Sequence, residues 1–242
     1  MVITGGLATR FYPVSSIIPK ALLPVGTRPV IDYVIDNLRP LKIENVWLLV
    51  NSYSSLFQSW AKNNNVKVHL TPAGLSEDLG GVAADLYDLA EYIGFETVML
   101  IWGNMIYSGD VAEFLKHYCG KPLLGMLDVG DLDKVRKYGV AVIKDNRLVE
   151  YAEKPEHPKS TLTYMGLAVL PPYVLKLIPM FLQYIGHTHH RFGEFLNWMV
   201  EVRGLDVHTV VVNGDWQYMD WPDSYNEMWR KYLADSNNTD KK

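Results

Sequence analysis

Two unbroken apolar runs, Val46–Val50 and Val98–Trp102, each have the length of a single strand. A strand with one wet face alternates apolar and polar residues. A strand that is apolar throughout must be covered on both faces, as happens in parallel sheets wrapped by helices. The segments around these runs have helical spacing. Pro29 opens a helix with Val30, Tyr33, Val34 and Leu38 on one side, another centres on Leu56–Ala61, and Val82, Leu86, Leu89 and Ile93 mark a third. Short strands are expected at Val2–Thr4, Val66–Leu70 and Leu123–Val129, and Asp110 is placed to cap a helix reaching Tyr118. This alternation predicts an α/β fold with a doubly wound, mostly parallel sheet, whose ligands bind outside the carboxyl ends of the strands.

From Tyr138 the texture changes. Tyr138–Ile143 and Arg147–Tyr151 flank Asp145-Asn146 and read as a β-hairpin, so the sheet is expected to be mixed. Tyr164–Leu170 reads as a strand, Pro172–Tyr184 as an apolar helix kinked at Pro179, and Phe192–Val202 as a further helix. Val207–Val212 is an expected strand and Pro222–Leu233 a closing helix. Trp198, Trp216, Trp221 and Trp229 are assigned to a core or interface. No internal repeat or long linker divides the chain, so residues 1–234 are expected to form one domain and 235–242 a polar, frayed tail.

Composition removes several function classes. The net charge is −4 over 242 residues, without the basic excess of a nucleic-acid binder. A single cysteine, Cys119, excludes an internal disulfide and suits a reducing compartment. No apolar run approaches the roughly 20 residues of a membrane span, and no signal-peptide pattern follows Met1. A cytoplasmic protein with no membrane and no nucleic-acid partner is the expectation; self-association is left open.

The densest chemical signal is Gly5-Gly6-Leu7-Ala8-Thr9-Arg10-Phe11-Tyr12-Pro13, followed by Pro19-Lys20-Ala21-Leu22-Leu23-Pro24-Val25. A glycine loop after an N-terminal strand lets backbone N–H groups approach phosphate, and Arg10 and Lys20 supply positive charge. The spacing is neither the dinucleotide fingerprint nor the Walker A loop. Two glycines alone read equally well as a turn beside solvated cations. The full stretch, however, resembles the signature G-G-x-G-T-R-L-x-P-x-[TS]-x-x-x-P-K-x-L-L-P-V of the sugar-1-phosphate nucleotidylyltransferases, the nucleotide-sugar pyrophosphorylases. Leu79-Gly80, Val98–Asn104, Tyr138-Gly139-Val140, Glu153-Lys154-Pro155, Met165-Gly166-Leu167 and Trp216–Tyr225 resemble later motifs of that family, in order.

The resemblance implies a Rossmann-like sheet of the nucleotide-diphospho-sugar transferase type. The chain is too short for the β-helix that many members append. It also implies a reaction, in which a sugar-1-phosphate attacks the α-phosphate of a nucleoside triphosphate, forming a nucleotide-sugar and releasing pyrophosphate. Carried over residue by residue, Gly5, Gly6, Leu7, Ala8, Thr9 and Arg10 hold the triphosphate, and Gly80 lies beside the base. Arg10 and Lys20 act on the reacting phosphates, Lys154 holds the sugar phosphate, and Gly139, Glu153 and Gly166 line the sugar pocket. Taken singly, Glu153-Lys154 reads as a surface ion pair and the glycines as close-packing positions. The implied cofactor is Mg²⁺.

The chain departs from the family at five places. Ala8 replaces a glycine, Leu75 or Ser76 falls where a glutamine reads the base, and Gly81 replaces a threonine. Asn104 and Tyr218 stand where aspartates bind the metal, leaving Asn104 and Asp220 as candidate ligands. That loss raises a second reading, a degenerate member that binds nucleotide or nucleotide-sugar in a regulatory role. A third is cytidylyl transfer to a phosphorylated alcohol, against which Glu153-Lys154-Pro155 favours a sugar. His187, His189 and His190 read either as a metal cluster or, with no supporting cysteine, as a solvated loop.

Overall fold

A computed structural model describes residues 1–4, 8–50, 54–71, 81–186 and 192–239, the side chains of 54 and 234–239 excepted. It is a mixed α/β structure in two compact units. One comprises Val2–Leu70, Trp102–Ala112 and Gly214–Lys242, and the other Met1, Thr71–Ile101 and Glu113–Asn213.

In the first unit, the apolar run becomes the strand Trp47–Val50. It is parallel to Val2–Ile3 on one side and to Lys67–Leu70 on the other, with Val2 opposite Leu48 and Leu49 opposite His69. Leu48, Leu49 and Val50 are buried, as a strand covered on both faces requires. The helix Val30–Leu38 starts after Pro29 and buries Val30, Ile31, Val34, Ile35 and Leu38. A small antiparallel ribbon joins Met105–Tyr107 to Trp216–Tyr218, a pairing that local periodicity does not announce. Asp110 Oδ1 accepts from Ala112 N at 2.7 Å and caps Val111–Leu115, a helix shorter than the expected one. The closing helix Pro222–Thr239 continues past Leu233, so the expected frayed tail begins helical.

In the second unit, Leu162–Leu170 pairs antiparallel with both Val98–Trp102 and Leu123–Asp128. His208–Val211 lies parallel to Leu123–Asp128 and antiparallel to Arg147–Glu153, which closes the hairpin with Gly139–Lys144. Asp145 and Asn146 both sit at positive φ, the geometry of a two-residue type I′ turn. The helix expected over Pro172–Tyr184 is two helices, Pro172–Leu175 and Ile178–Ile185. Pro179 lies in the first turn of the second, where its missing N–H has no intrahelical partner to lose, so it starts a helix instead of kinking one. The helix Phe192–Asn197 widens into a π-turn at Trp198–Val202. Trp198 is buried, whereas Trp221 and Trp229 are exposed, which removes both from the core.

Candidate active site

The first unit gathers the cationic part of the glycine-loop motif. Residues Gly5, Gly6 and Leu7 lie outside the described residues, as do Gly80, Leu75, Ser76 and the histidine cluster. Ala8 is left-handed, with φ 47° and ψ 41°, and begins the short turn Thr9–Phe11. This is a conformation that glycine adopts freely, and here a methyl-bearing residue holds it. Phe11, Leu23 and Val25 turn inward to a cluster with Val30, Ile106, Met219 and Met228, while Ala8 packs on its edge. Thr9, Arg10 and Ser16 stay exposed beside these anchors, whereas Ser15 is buried. The Tyr225 hydroxyl donates to Pro24 O at 2.8 Å and further fixes the motif.

Arg10 and Lys20 converge on one carboxylate. The Arg10 guanidinium pairs with Asp220 and lies over the Trp221 ring, 3.8 Å from its centroid. Lys20 Nζ is 3.3 Å from Asp220 Oδ1, with the Phe11 and Tyr218 rings at 5.9 and 5.8 Å. Burial depresses the Lys20 pKa and Arg10 adds to that, while Asp220 opposes both. Two cations facing one anion leave an excess of one positive charge there. Sequence reasoning missed Trp221 as a partner of Arg10, although its place beside Asp220 was a usable signal.

Asn104 and Asp220 are brought near one another through Met219, yet neither is arranged as a metal ligand. Asn104 is buried, its Nδ2 donates to Met219 O at 3.0 Å, and its backbone O accepts from Met219 N at 2.9 Å. Its side chain clamps the segment leading into Asp220. Asp220 already faces Arg10 and Lys20. Among the described residues no group of three or more His, Cys, Asp or Glu could hold a metal. Mg²⁺ favours one or two carboxylates free to bind it, so these residues do not fit a protein-held ion. Asn104→Asp removes the donor to a buried carbonyl and sets a carboxylate against it. It is expected to cost about 1–3 kcal/mol, read as a lower urea midpoint. An unchanged midpoint would refute the clamp.

The second unit gathers the other motif residues. Gly139 is the register partner of Glu153 across the hairpin, and Lys154 N donates to Tyr138 O at 3.1 Å. Lys154 is left-handed at φ 49° and exposed. Thr163 pairs with Val140, bringing the strand that carries Gly166 to the same end of the sheet. The register of that strand shifts between Tyr164 and Ala168, with Gly166 inside the irregularity at φ +87°. A side chain there is strained, so Gly166→Ala is expected to destabilise by about 1–2 kcal/mol. Thermal unfolding with no fall in Tm would count against it. Tyr151 and Gly193, not singled out in the sequence, complete this region: the Tyr151 ring lies between Gly139 and Gly193.

The family model described as nucleotidyl transferase matches residues 1–234, through both units. The chain belongs to the nucleotidyl transferase family. Among curated relatives of this chain, the bifunctional protein GlmU of Methanocaldococcus jannaschii is 24% identical over 241 residues, 99% of this chain and 55% of that protein. A glucose-1-phosphate thymidylyltransferase of Streptomyces griseus is 24% identical over 226 residues, 90% of this chain and 61% of that one. The chain thus spans little more than half the length of these relatives. A UDP-glucose pyrophosphorylase solved with UDP-glucose superposes with a TM-score of 0.78 at 17% identity, covering 97% of each chain, and shows the same fold. Among the described residues no helix is long and apolar enough to cross a membrane.

Proposed function

We propose that this nucleotidyl transferase transfers a nucleotidyl group from a nucleoside triphosphate to a sugar-1-phosphate. A phosphate oxygen of the sugar-1-phosphate forms a bond to the α-phosphorus, the bond from that phosphorus to the bridging oxygen breaks, and pyrophosphate leaves with its electron pair. The observation that carries this reading is the convergence of Arg10 and Lys20 on Asp220, which leaves one positive charge in excess. At an effective dielectric near 20, a unit charge about 4 Å away contributes about 4 kcal/mol, so such a cluster favours a polyphosphate.

Arg10 neutralises the departing pyrophosphate, and Lys20, poorly solvated, orients the reacting phosphates. The loop from Gly5 to Thr9 offers backbone donors. Lys154 holds the acceptor phosphate, while Gly139, Glu153 and Gly166 shape the acceptor site. Catalysis of this kind is mainly positioning and charge stabilisation. No step is routed through a protein-held Mg²⁺. Residues 1–234 act as one functional domain, in the cytoplasm, without nucleic-acid or membrane partners.

The test is pyrophosphate release by the purified chain with each nucleoside triphosphate and a set of sugar-1-phosphates, with nucleotide-sugar detected in parallel. Release that requires both substrates supports the proposal. Nucleotide-sugar binding without release would mark a silent, regulatory member instead.

A further inference from the structure

Trp221 stands outside the apolar cluster around Phe11 and Met219 and is 43% exposed, so burial does not account for its place. Its backbone is nevertheless held firmly just ahead of the closing helix. Trp221 N donates to Ser224 Oγ at 3.1 Å, Ser224 Oγ donates to Trp221 O at 2.8 Å, and Asp220 N donates to the same hydroxyl at 3.3 Å. Tyr225 N also donates to Trp221 O, at 3.0 Å. A side chain in the first turn of a helix that reaches back to the residue before it is a capping arrangement, and it fixes the angle at which the chain enters the helix.

The opposing partner is fixed as well. Arg10 belongs to the turn Thr9–Phe11, whose Phe11 is buried and meets the Tyr225 ring edge-on, with centroids 6.2 Å apart. Turn and helix are therefore tied at neighbouring points, Phe11 to Tyr225 and Arg10 to Trp221.

Arg10 Cζ lies 3.8 Å from the Trp221 ring centroid. At that separation the guanidinium must lie nearly parallel to the ring. A nitrogen pointed at the ring would stand about 1.3 Å nearer, inside van der Waals contact. A guanidinium offers two separate surfaces. Its face is attracted to an aromatic ring, while its N–H donors lie in its plane and point outward. The stack thus uses no donor, and Asp220 takes its bond from Nη1.

We infer that Trp221 is a positioning residue, a platform on which the Arg10 guanidinium stays stacked while Asp220 gives way to a polyphosphate. The inference rests on reading Arg10 as a contact to the nucleoside triphosphate. Once the carboxylate is displaced, its bond no longer orients the arginine. The ring still fixes the plane, so the in-plane donors meet the incoming oxygens without a fresh ordering cost. Trp221 acts through Arg10 and touches no reacting atom. An ammonium at position 10 has no plane to rest on the ring, so the platform suits arginine and not lysine.

The probe is inorganic tripolyphosphate, titrated into the whole chain, which reads binding without turnover. Trp221→Leu is expected to weaken it by about two- to fivefold, the size of a partly exposed cation–π contact. Trp221→Phe should restore most of the affinity. In an Arg10→Ala background, Trp221→Leu should change nothing, because the ring then has no cation to hold. The Arg10 Hδ resonance, identified by its loss in Arg10→Ala, should lie upfield in the ring current of Trp221 and stay there at saturating tripolyphosphate. An unchanged affinity in Trp221→Leu, an equal loss in both backgrounds, or a return of that resonance to its ordinary position on binding each overturns the inference. If Arg10→Ala binds tripolyphosphate as tightly as the unaltered chain, the reading of Arg10 falls and the inference with it. Coupling between the two residues with no pyrophosphate release would sink the proposed reaction and leave the platform standing.

Discussion

Lys20→Ala is expected to lower pyrophosphate release by about 10²–10³-fold, the cost of removing one preorganised charge contact from a developing anion. The loss should fall on kcat more than on KM, because Arg10 and the loop still attract the nucleotide. Lys20 is only 17% exposed in its side chain and stands 3.3 Å from Asp220, so water cannot easily take its place. Its substitution also leaves Asp220 balanced by Arg10 alone, which removes the excess positive charge. Lys20→Arg should recover little, since a planar guanidinium does not fit a space shaped by Phe11 and Tyr218 around an ammonium. Single-turnover kinetics within a few-fold of the unaltered chain would remove Lys20 from the chemistry.

Gly139→Ala is the second large expected effect. A Cβ built there lies 1.9 Å from the Tyr151 hydroxyl oxygen and 2.4 Å from its Cζ. The ring has little room to retreat, because a Cβ on Gly193 would already lie 2.5 Å from Tyr151 Cε1. Nor can the backbone move freely, with Gly139 paired to Glu153 in the hairpin. Overpacking of this kind costs about 1–3 kcal/mol. It should also weaken acceptor binding by displacing Glu153. Adding Tyr151→Leu to Gly139→Ala should recover part of the stability, giving a coupling energy well above that of distant pairs. Strictly additive losses would show that the ring does not confine this position.

The alternation of strand and helix was legible because each element carries its own periodicity: Leu48, Leu49 and Val50 are all buried, and Val30–Leu38 buries one stripe. The hairpin was legible in Asp145-Asn146, two residues tolerant of positive φ. The motif residues Arg10 and Lys20 do meet, as do Gly139 and Glu153. Pairings that depend on distant partners were not legible. Nothing near Asp220 in sequence says that its carboxylate faces cations 210 and 200 residues away. Nothing near Asn104 reveals that its amide is committed to Met219, and composition alone cannot say that Pro179 begins a helix. Periodicity reports which face is wet, not which neighbour occupies it.

On the proposed reading of Arg10 and Lys20, their bridge to Asp220 makes nucleotide binding an exchange. The chain carries its own tethered competitor, held at a fixed high local concentration against the same cations a polyphosphate would use. The affinity expected on that reading is a difference between two anions. Weakening the tethered one, as in Asp220→Asn, would tighten ground-state binding while leaving the cations less well aimed. A donor with more phosphate charge wins that exchange, and a product with less yields to the returning carboxylate, which favours turnover over retention.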